Sequence, residues 1–125
     1  MRECDSILVY GRDAQLLDTR CWVLQQAGYR VLTVLSLEDA EQVTRTENIS
    51  VLILCHTLPK SDCEAAISMA RSAAPGMRIL SLTAGKPVFS GHSVSTFDGP
   101  RRLLQEVARL CAADGSARIE SLGAP

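Results

Sequence analysis

The segment Val51-Leu52-Ile53-Leu54-Cys55 constrains the fold of this chain more than any other stretch. It is a run of apolar residues with no polar residue alternating along it. A strand that faces water on one side alternates apolar and polar residues, so an unbroken apolar run predicts a strand covered on both faces. Strands of that kind are typical of the centre of a parallel sheet flanked by helices.

Other strand-like and helix-like segments alternate around this run. The predicted strands, in chain order, are residues 7–10, 29–35, 51–55, 78–83 and 93–97. Ser36 and Asp62 are the predicted N-caps of the second and third helices, and Gly28 ends the first. Pro100 suits the first turn of the last helix. Strands alternating with helices predict βαβ units, and therefore a doubly wound α/β domain with a five-stranded parallel sheet.

The composition fits one such domain. The chain has 125 residues, of which 46% are hydrophobic and 22% charged. We expect a domain over residues 1–113 and a flexible C-terminal tail over residues 114–125. The net charge of −1 excludes a general attraction to nucleic acid or to an anionic membrane. No apolar run is long enough to cross a bilayer, and the charged N-terminus is unlike a signal peptide, so we expect a cytoplasmic location.

The cysteines give no metal or disulfide pattern. They are Cys4, Cys21, Cys55, Cys63 and Cys111. Their number is odd, their spacing is irregular, and no C-x-x-C pair is present. We therefore expect buried, reduced thiols and neither a zinc site nor a disulfide framework.

Candidate functional residues follow the ends of the predicted strands, because ligands of open α/β sheets bind beyond the carboxyl ends of the strands. The residues at these ends are Gly11, Arg12, Asp13, Cys55, His56, Thr57, Thr83, Ala84, Ser95, Thr96 and Phe97.

The order and spacing of the segments over residues 5–113 resemble the receiver domain of bacterial response regulators. The stretch from Val51 to Asp62 resembles the family's third strand and following loop. The stretch from Ile79 to Ala84 resembles its fourth strand with the switch threonine, and Phe97-Asp98 resembles the lead-in to its last helix. The resemblance implies a flavodoxin-like strand order 2-1-3-4-5 and a place in two-component phosphorelay signal transduction.

The family's functional positions fall, in chain order, on Gly11, Arg12, Cys55, Thr83 and Ser95. The first two are the positions of its acidic pair, the third that of the phosphoacceptor aspartate, the fourth that of the switch hydroxyl and the last that of the lysine. Only Thr83 keeps the expected residue type, and Asp13 is the one acid left nearby.

These departures imply an atypical receiver domain. Mg²⁺ prefers carboxylate oxygens, and Arg12 adds a positive charge where the ion would be bound. We therefore expect no metal, no cofactor and no enzymatic activity. The resemblance implies a phosphorylation-independent module that acts through protein–protein contacts. Its partner would be a signalling kinase, an effector or a second copy in a homodimer.

Two other interpretations stay open. Cys55 beside His56 is compatible with a small flavodoxin-like enzyme that uses a reactive thiol. Adjacent residues at a strand end point to opposite faces, and the apolar residues before Cys55 raise the pKa of a thiol, so both considerations disfavour that enzyme. Arg12 could bind an anion together with backbone N–H groups at the start of the first helix, or it could be an exposed loop arginine.

The interval between Thr83 and Ser95 is too short for a helix with two loops, so the fourth helix is predicted to be shortened or missing. Its loss would uncover apolar sheet surface near Leu80, Leu82 and Val94. Either Val88 and Phe89 fold back over that surface or a partner covers it.

Two further residues are candidates for an interface. Trp22 falls opposite the apolar stripe of the first helix, where it is either an interface anchor or partly buried against a loop. Arg102 lies on the polar side of the last helix at i,i+4 spacing from Glu106. That spacing favours a solvated ion-pair face over a nucleic-acid patch.

Overall fold

The computed structural model of this chain describes residues 6–83, 92–95 and 99–123, with the backbone alone for 92–95 and 112–123. In these ranges the strands are β1 Ile7–Tyr10, β2 Val31–Val34, β3 Val51–Leu54, β4 Arg78–Thr83 and β5 His92–Ser95. The helices are α1 Ala14–Gln26, α2 Leu37–Thr46, α3 Lys60–Ala73 and α4 Gly99–Gly123.

The strands form one parallel sheet in the order β2-β1-β3-β4-β5. Tyr10, the last residue of β1, pairs with Val34 of β2 on one side and with Leu54 of β3 on the other. The predicted α/β fold and its strand order are therefore confirmed. The predicted loss of the fourth helix concerns residues 84–91 and lies outside the described residues.

Alternate residues of the central strands enter two different cores, one on each face of the sheet. Ile7 and Val9 share a core with side chains from α1 and α4, namely Leu17, Leu24, Leu103, Val107 and Leu110. Leu8 and Tyr10 share the other core with residues that include Ala40 of α2 and Ala66 and Ala70 of α3. Every residue of β3 is fully buried, as its unbroken apolar sequence predicts.

The helix starts follow local capping chemistry, with one correction. The side chain of Ser36 accepts a hydrogen bond from the Asp39 N–H and caps α2 as predicted. The prediction that Asp62 caps α3 is wrong, because α3 begins at Lys60 directly after Pro59. Asp62 lies in the first turn of α3, where a carboxylate interacts favourably with the helix dipole. Acidic residues are favoured both at the cap and in the first turn, so residue type alone does not distinguish the two positions.

The sheet surface at Leu80 and Leu82, which loss of the fourth helix would uncover, is covered in the structure. Leu80 and Leu82 are buried in the core that contains Leu103 and Val107 of α4. Because side chains alternate along a strand, both leucines face the α1–α4 layer, and the neighbouring Ile79 faces the α2–α3 layer. Leu80 and Leu82 are thus covered within the chain itself, and the alternative in which Val88 and Phe89 fold back over them concerns side chains outside the described residues.

The last helix continues to Gly123, past residue 113 where the sequence predicts the domain to end. Residues 117–122 contain no glycine or proline, which is compatible with a continued helix. The division into a domain and a flexible tail stays a prediction. Within the residues described, no helix combines the length and the apolar character needed to cross a bilayer.

The cysteines are not all reduced. Cys21, Cys55 and Cys63 are free thiols, as predicted, whereas Cys111 is disulfide-bonded. A disulfide depends on how closely two Cβ atoms approach in space, and spacing along the sequence does not reveal that distance. The expectation of reduced thiols throughout is therefore wrong for Cys111.

Candidate functional site

The site lies at the C-terminal edge of the sheet, where β1 and β3 end side by side. The Cys55 N–H donates to the carbonyl oxygen of Tyr10 at 2.9 Å, which places Gly11 directly beside Cys55. A β-carbon on residue 11 would lie 3.0 Å from the Cys55 Cβ, 3.1 Å from its Sγ and 3.3 Å from the Leu17 Cδ2. A side chain at this position would require its neighbours to move by a few tenths of an ångström, so glycine is favoured here by a close approach rather than by a turn.

Arg12 connects the loop after β1 to the loop after β3. Its backbone N–H donates to the Thr57 hydroxyl oxygen at 3.0 Å, and its guanidinium forms an ion pair with the carboxylate of Asp62. The side chains of Arg12 and Asp62 are 55% and 25% exposed, so the pair is on the surface. This arrangement disfavours the earlier interpretation of Arg12 as an anion ligand, because a carboxylate already neutralises the guanidinium.

Asp13 caps the N-terminus of α1. Its Oδ1 accepts hydrogen bonds from the backbone N–H groups of Gln15 at 3.0 Å and Leu16 at 3.2 Å, which makes it the N-cap of α1. The N–H groups that an anion would use at this helix start are thus already bonded to a carboxylate of the chain itself.

Arg20 of α1 is a member of the site that the sequence did not single out. Its Nη2 lies 3.4 Å from Nδ1 of His56, and its guanidinium also interacts with the Cys55 thiol. Its Nη1 is buried and has no hydrogen-bond partner in the structure. One feature of the sequence could have indicated that Arg20 lies against the core. It directly precedes Cys21, which belongs to the apolar stripe Leu17/Cys21/Leu24. A long side chain beside such a stripe can cover the core edge with its methylene groups.

Cys55 is a poor nucleophile in this environment. It is 2% exposed, and burial raises the pKa of its thiol to about 11, against a smaller lowering effect of Arg20. At neutral pH only about one molecule in ten thousand would carry the thiolate. His56, the residue expected to activate a catalytic cysteine, interacts with Arg20. Burial and Arg20 together lower the pKa of its imidazole.

Thr83 and Ser95 end the next two strands and pair with each other in the parallel register of β4 and β5. Thr83 is buried. The backbone therefore brings the two positions together at the same edge of the sheet.

The metal that a receiver domain implies does not fit these residues. The positions of the acidic pair and the phosphoacceptor present no side chain at Gly11, a guanidinium at Arg12 and a buried thiol at Cys55. The two nearby carboxylates are occupied, Asp13 as a helix cap and Asp62 as the partner of Arg12. Over the described ranges, no cluster of three or more histidine, cysteine or acidic side chains has a metal-binding arrangement. Mg²⁺ requires several oxygen ligands, which this set does not supply.

The predicted interface residues that the structure describes lie on three different elements, α1, β5 and α4. Trp22 is 62% exposed on α1, so most of its side chain is accessible to a partner. Arg102 is exposed on α4, and Glu106 is buried with its carboxylate accepting from the Arg109 guanidinium. Val94 lies in β5, while Val88 and Phe89 lie outside the described residues.

Comparisons with known proteins connect this geometry to one fold. No protein-family model and no curated protein matches the chain. Among solved structures, it is similar to a CheY-like response regulator receiver domain protein from Methanospirillum hungatei. The TM-score is 0.80 at 17% identity, over 91% of this chain and 98% of that one.

Two other solved structures give the same result. The signal receiver domain of an HD domain-containing protein from Pseudomonas fluorescens matches with a TM-score of 0.80 at 16% identity, over 94% of each chain. A response regulator receiver protein from Sinorhizobium medicae matches with a TM-score of 0.72 at 22% identity, over 90% of this chain and 98% of that one. The chain therefore has the fold of a receiver domain.

Proposed function

We propose that this chain is a receiver-like module of bacterial two-component signalling that works through protein–protein contacts and without phosphorylation. The observation that carries the proposal is the packing of Cys55 against Gly11, where a β-carbon on residue 11 would lie 3.0 Å from the Cys55 Cβ. The two central strands therefore end in a closely packed glycine and thiol, where a Mg²⁺ site would need carboxylates.

The ion pair at Arg12 supports the same proposal. A divalent cation near the ends of β1 and β3 would meet a guanidinium rather than a carboxylate, because Asp62 is already paired with Arg12. Two like charges a few ångströms apart repel, and a site without oxygen ligands offers nothing to offset that repulsion. Transfer of a phosphoryl group without a metal would also leave the charge of the transferring group uncompensated.

The thiol-enzyme alternative gains no support from the geometry. A catalytic cysteine needs a lowered pKa and a positioned base, whereas burial raises the pKa of Cys55 to about 11 and His56 interacts with Arg20. We therefore propose a binding module without enzymatic activity or cofactor. In this proposal Gly11, Arg12 and Cys55 have structural roles, and the module is located in the cytoplasm.

The test is incubation with acetyl phosphate and Mg²⁺, followed by intact mass measurement, with a phosphorylatable receiver domain as positive control. We expect no added phosphate on the native chain. The matched variants Cys55→Asp and Cys55→Asn extend the test, since only the former offers a carboxylate at the phosphoacceptor position. We expect neither to take up phosphate, because Gly11 and Arg12 still supply no metal ligand. Magnesium-dependent phosphate on the native chain would refute the proposal.

A further inference from the structure

The exposed face of α1 differs in chemistry from the exposed faces of the other helices. Its exposed residues are Ala14, Gln15, Asp18, Thr19, Trp22, Gln25 and Gln26. With 3.6 residues per turn, those from Gln15 onward form one stripe with Trp22 at its centre. Asp18 is the one charged residue in this set.

The other helices present charged faces. Over the described side chains, the exposed residues of α2, α3 and α4 include Glu38, Asp39, Arg45, Lys60, Glu64, Arg71, Arg101, Arg102 and Arg109. Among the side chains described for α2, α3 and α4 up to Cys111, no large hydrophobic one is exposed, whereas Trp22 is 62% exposed. A tryptophan surrounded by uncharged polar residues is the composition found at the centre of protein interfaces, where charges are depleted.

The charges that flank α1 are already paired within the chain. Arg12, before the helix, pairs with Asp62, and Arg30, after it, pairs with Glu47 at 3.1 Å. A strongly charged partner would therefore find few complementary charges on this face. A partner with an equally neutral face is favoured, and a second copy of this chain has one.

The face is also complementary to itself when two helices run antiparallel about a two-fold axis at Trp22. In that arrangement residue 18 opposes residue 26 of the other copy, and residue 19 opposes residue 25. The Asp18 carboxylate then meets the amide of Gln26, which can donate to it, and the Thr19 hydroxyl meets the amide of Gln25. The two Trp22 rings meet on the axis, where aromatic pairs add to the energy of burial. A parallel arrangement would instead oppose the two Asp18 carboxylates.

We infer that this chain forms a symmetric homodimer through the exposed face of α1, with Trp22 as its anchor. This inference rests on the proposed function in one respect: the proposed function requires a protein partner, and the second copy is that partner. A helix of 13 residues is about 20 Å long, so the contact is smaller than the roughly 800 Å² per partner of a standard interface. The dimer is therefore weak and depends on concentration.

The experiment is sedimentation equilibrium of the full chain from about 1 µM to about 1 mM. We expect the native chain to dimerise within this range and Trp22→Glu to weaken association at least tenfold. Leu35→Glu is the matched control, because Leu35 is the other exposed large hydrophobic residue described, at 48%, and lies outside α1. Since Trp22 is the sole tryptophan, its emission should shift to shorter wavelength as the dimer forms. Far-UV circular dichroism verifies that each variant is folded.

The register is tested by changing Gln26 in opposite directions. Gln26→Lys places a cation opposite Asp18 of the other copy and should tighten the dimer, whereas Gln26→Glu should weaken it. A chain that stays monomeric at all concentrations, a dimer that survives Trp22→Glu, or equal effects of the two Gln26 variants would overturn the inference. Phosphate uptake is measured separately, so a monomer without phosphate refutes the dimer alone, and a phosphorylated dimer refutes the proposed function alone.

Discussion

Gly11 and Cys55 are in such close contact that a β-carbon at residue 11 would require Cys55 to shift by a few tenths of an ångström. The neighbouring atoms would be the Cys55 Cβ at 3.0 Å and its Sγ at 3.1 Å, both on a side chain held in the core. The ends of β1 and β3 are therefore closely packed against each other at this point.

Gly11→Ala should therefore destabilise the protein. Overpacking of a tight site costs about 1–3 kcal/mol, and urea unfolding would measure the loss. Gly76→Ala is the control, because a β-carbon there meets no atom within 4 Å, and its effect should be less than about 0.5 kcal/mol. Equal stability of the two variants would contradict the close packing.

The Cys55 thiol should make stability depend on pH in the alkaline range. Its pKa is raised from 9.0 to about 11, so the unfolded chain releases this proton at lower pH than the folded one. The contribution to stability is complete below about pH 9 and is lost as the pH rises through about 11. Cys55→Ala should lose less stability over this interval than the native chain does.

The thiols should also differ in reactivity. When the folded chain is treated with an alkylating reagent, the partly exposed Cys21 should react well before the buried Cys55.

His56 should titrate below its ordinary range. Burial and the guanidinium of Arg20 lower the pKa of the imidazole, while Asp13 opposes this effect. A lowered pKa in the folded state means that stability falls as the pH drops through that pKa. In an NMR titration, Arg20→Gln should raise the pKa of His56, and Arg20→Lys, which keeps the charge, should raise it less. An unchanged titration curve in Arg20→Gln would show that Arg20 does not act on His56.

The Arg12–Asp62 ion pair should contribute little to stability. Exposed pairs yield about 0–1 kcal/mol, and Arg12 remains 55% exposed. A double-mutant cycle with Arg12→Ala and Asp62→Ala should give a coupling energy in that range that shrinks as salt is added. A coupling above about 2 kcal/mol that resists salt would place the pair in a drier environment than the structure has.

Cys111 offers a test of the proposed location. Disulfides are rare in reducing compartments, so cytoplasmic protein alkylated at the moment of cell lysis should carry Cys111 as a thiol. The disulfide should then appear on air oxidation of the purified chain, which peptide mass mapping detects. Recovery of Cys111 in its disulfide directly from cells would contradict the cytoplasmic proposal.

The sequence predicts the architecture well because hydrophobic periodicity reports which faces are buried. The unbroken apolar run at β3 correctly placed it in the centre of the sheet. The side-chain contacts of the site were harder to predict. Arg20 and His56 are 36 positions apart, and Arg12 and Asp62 are 50 apart, so each contact depends on how helices settle against the sheet. Asp62 illustrates the difficulty, since an acid near a helix start suits a cap, a dipole partner or an ion pair equally well.

The connection that Arg12 makes to Thr57 and Asp62 has a consequence for control. The two loops are connected by groups of the chain itself. Under the proposed function, their arrangement would not depend on a phosphoryl donor or on free Mg²⁺. The amount of a weak dimer would instead depend on the total concentration of the chain. When most copies are monomeric, the dimer concentration would rise with the square of the monomer concentration. Gene expression and protein turnover would then determine its output.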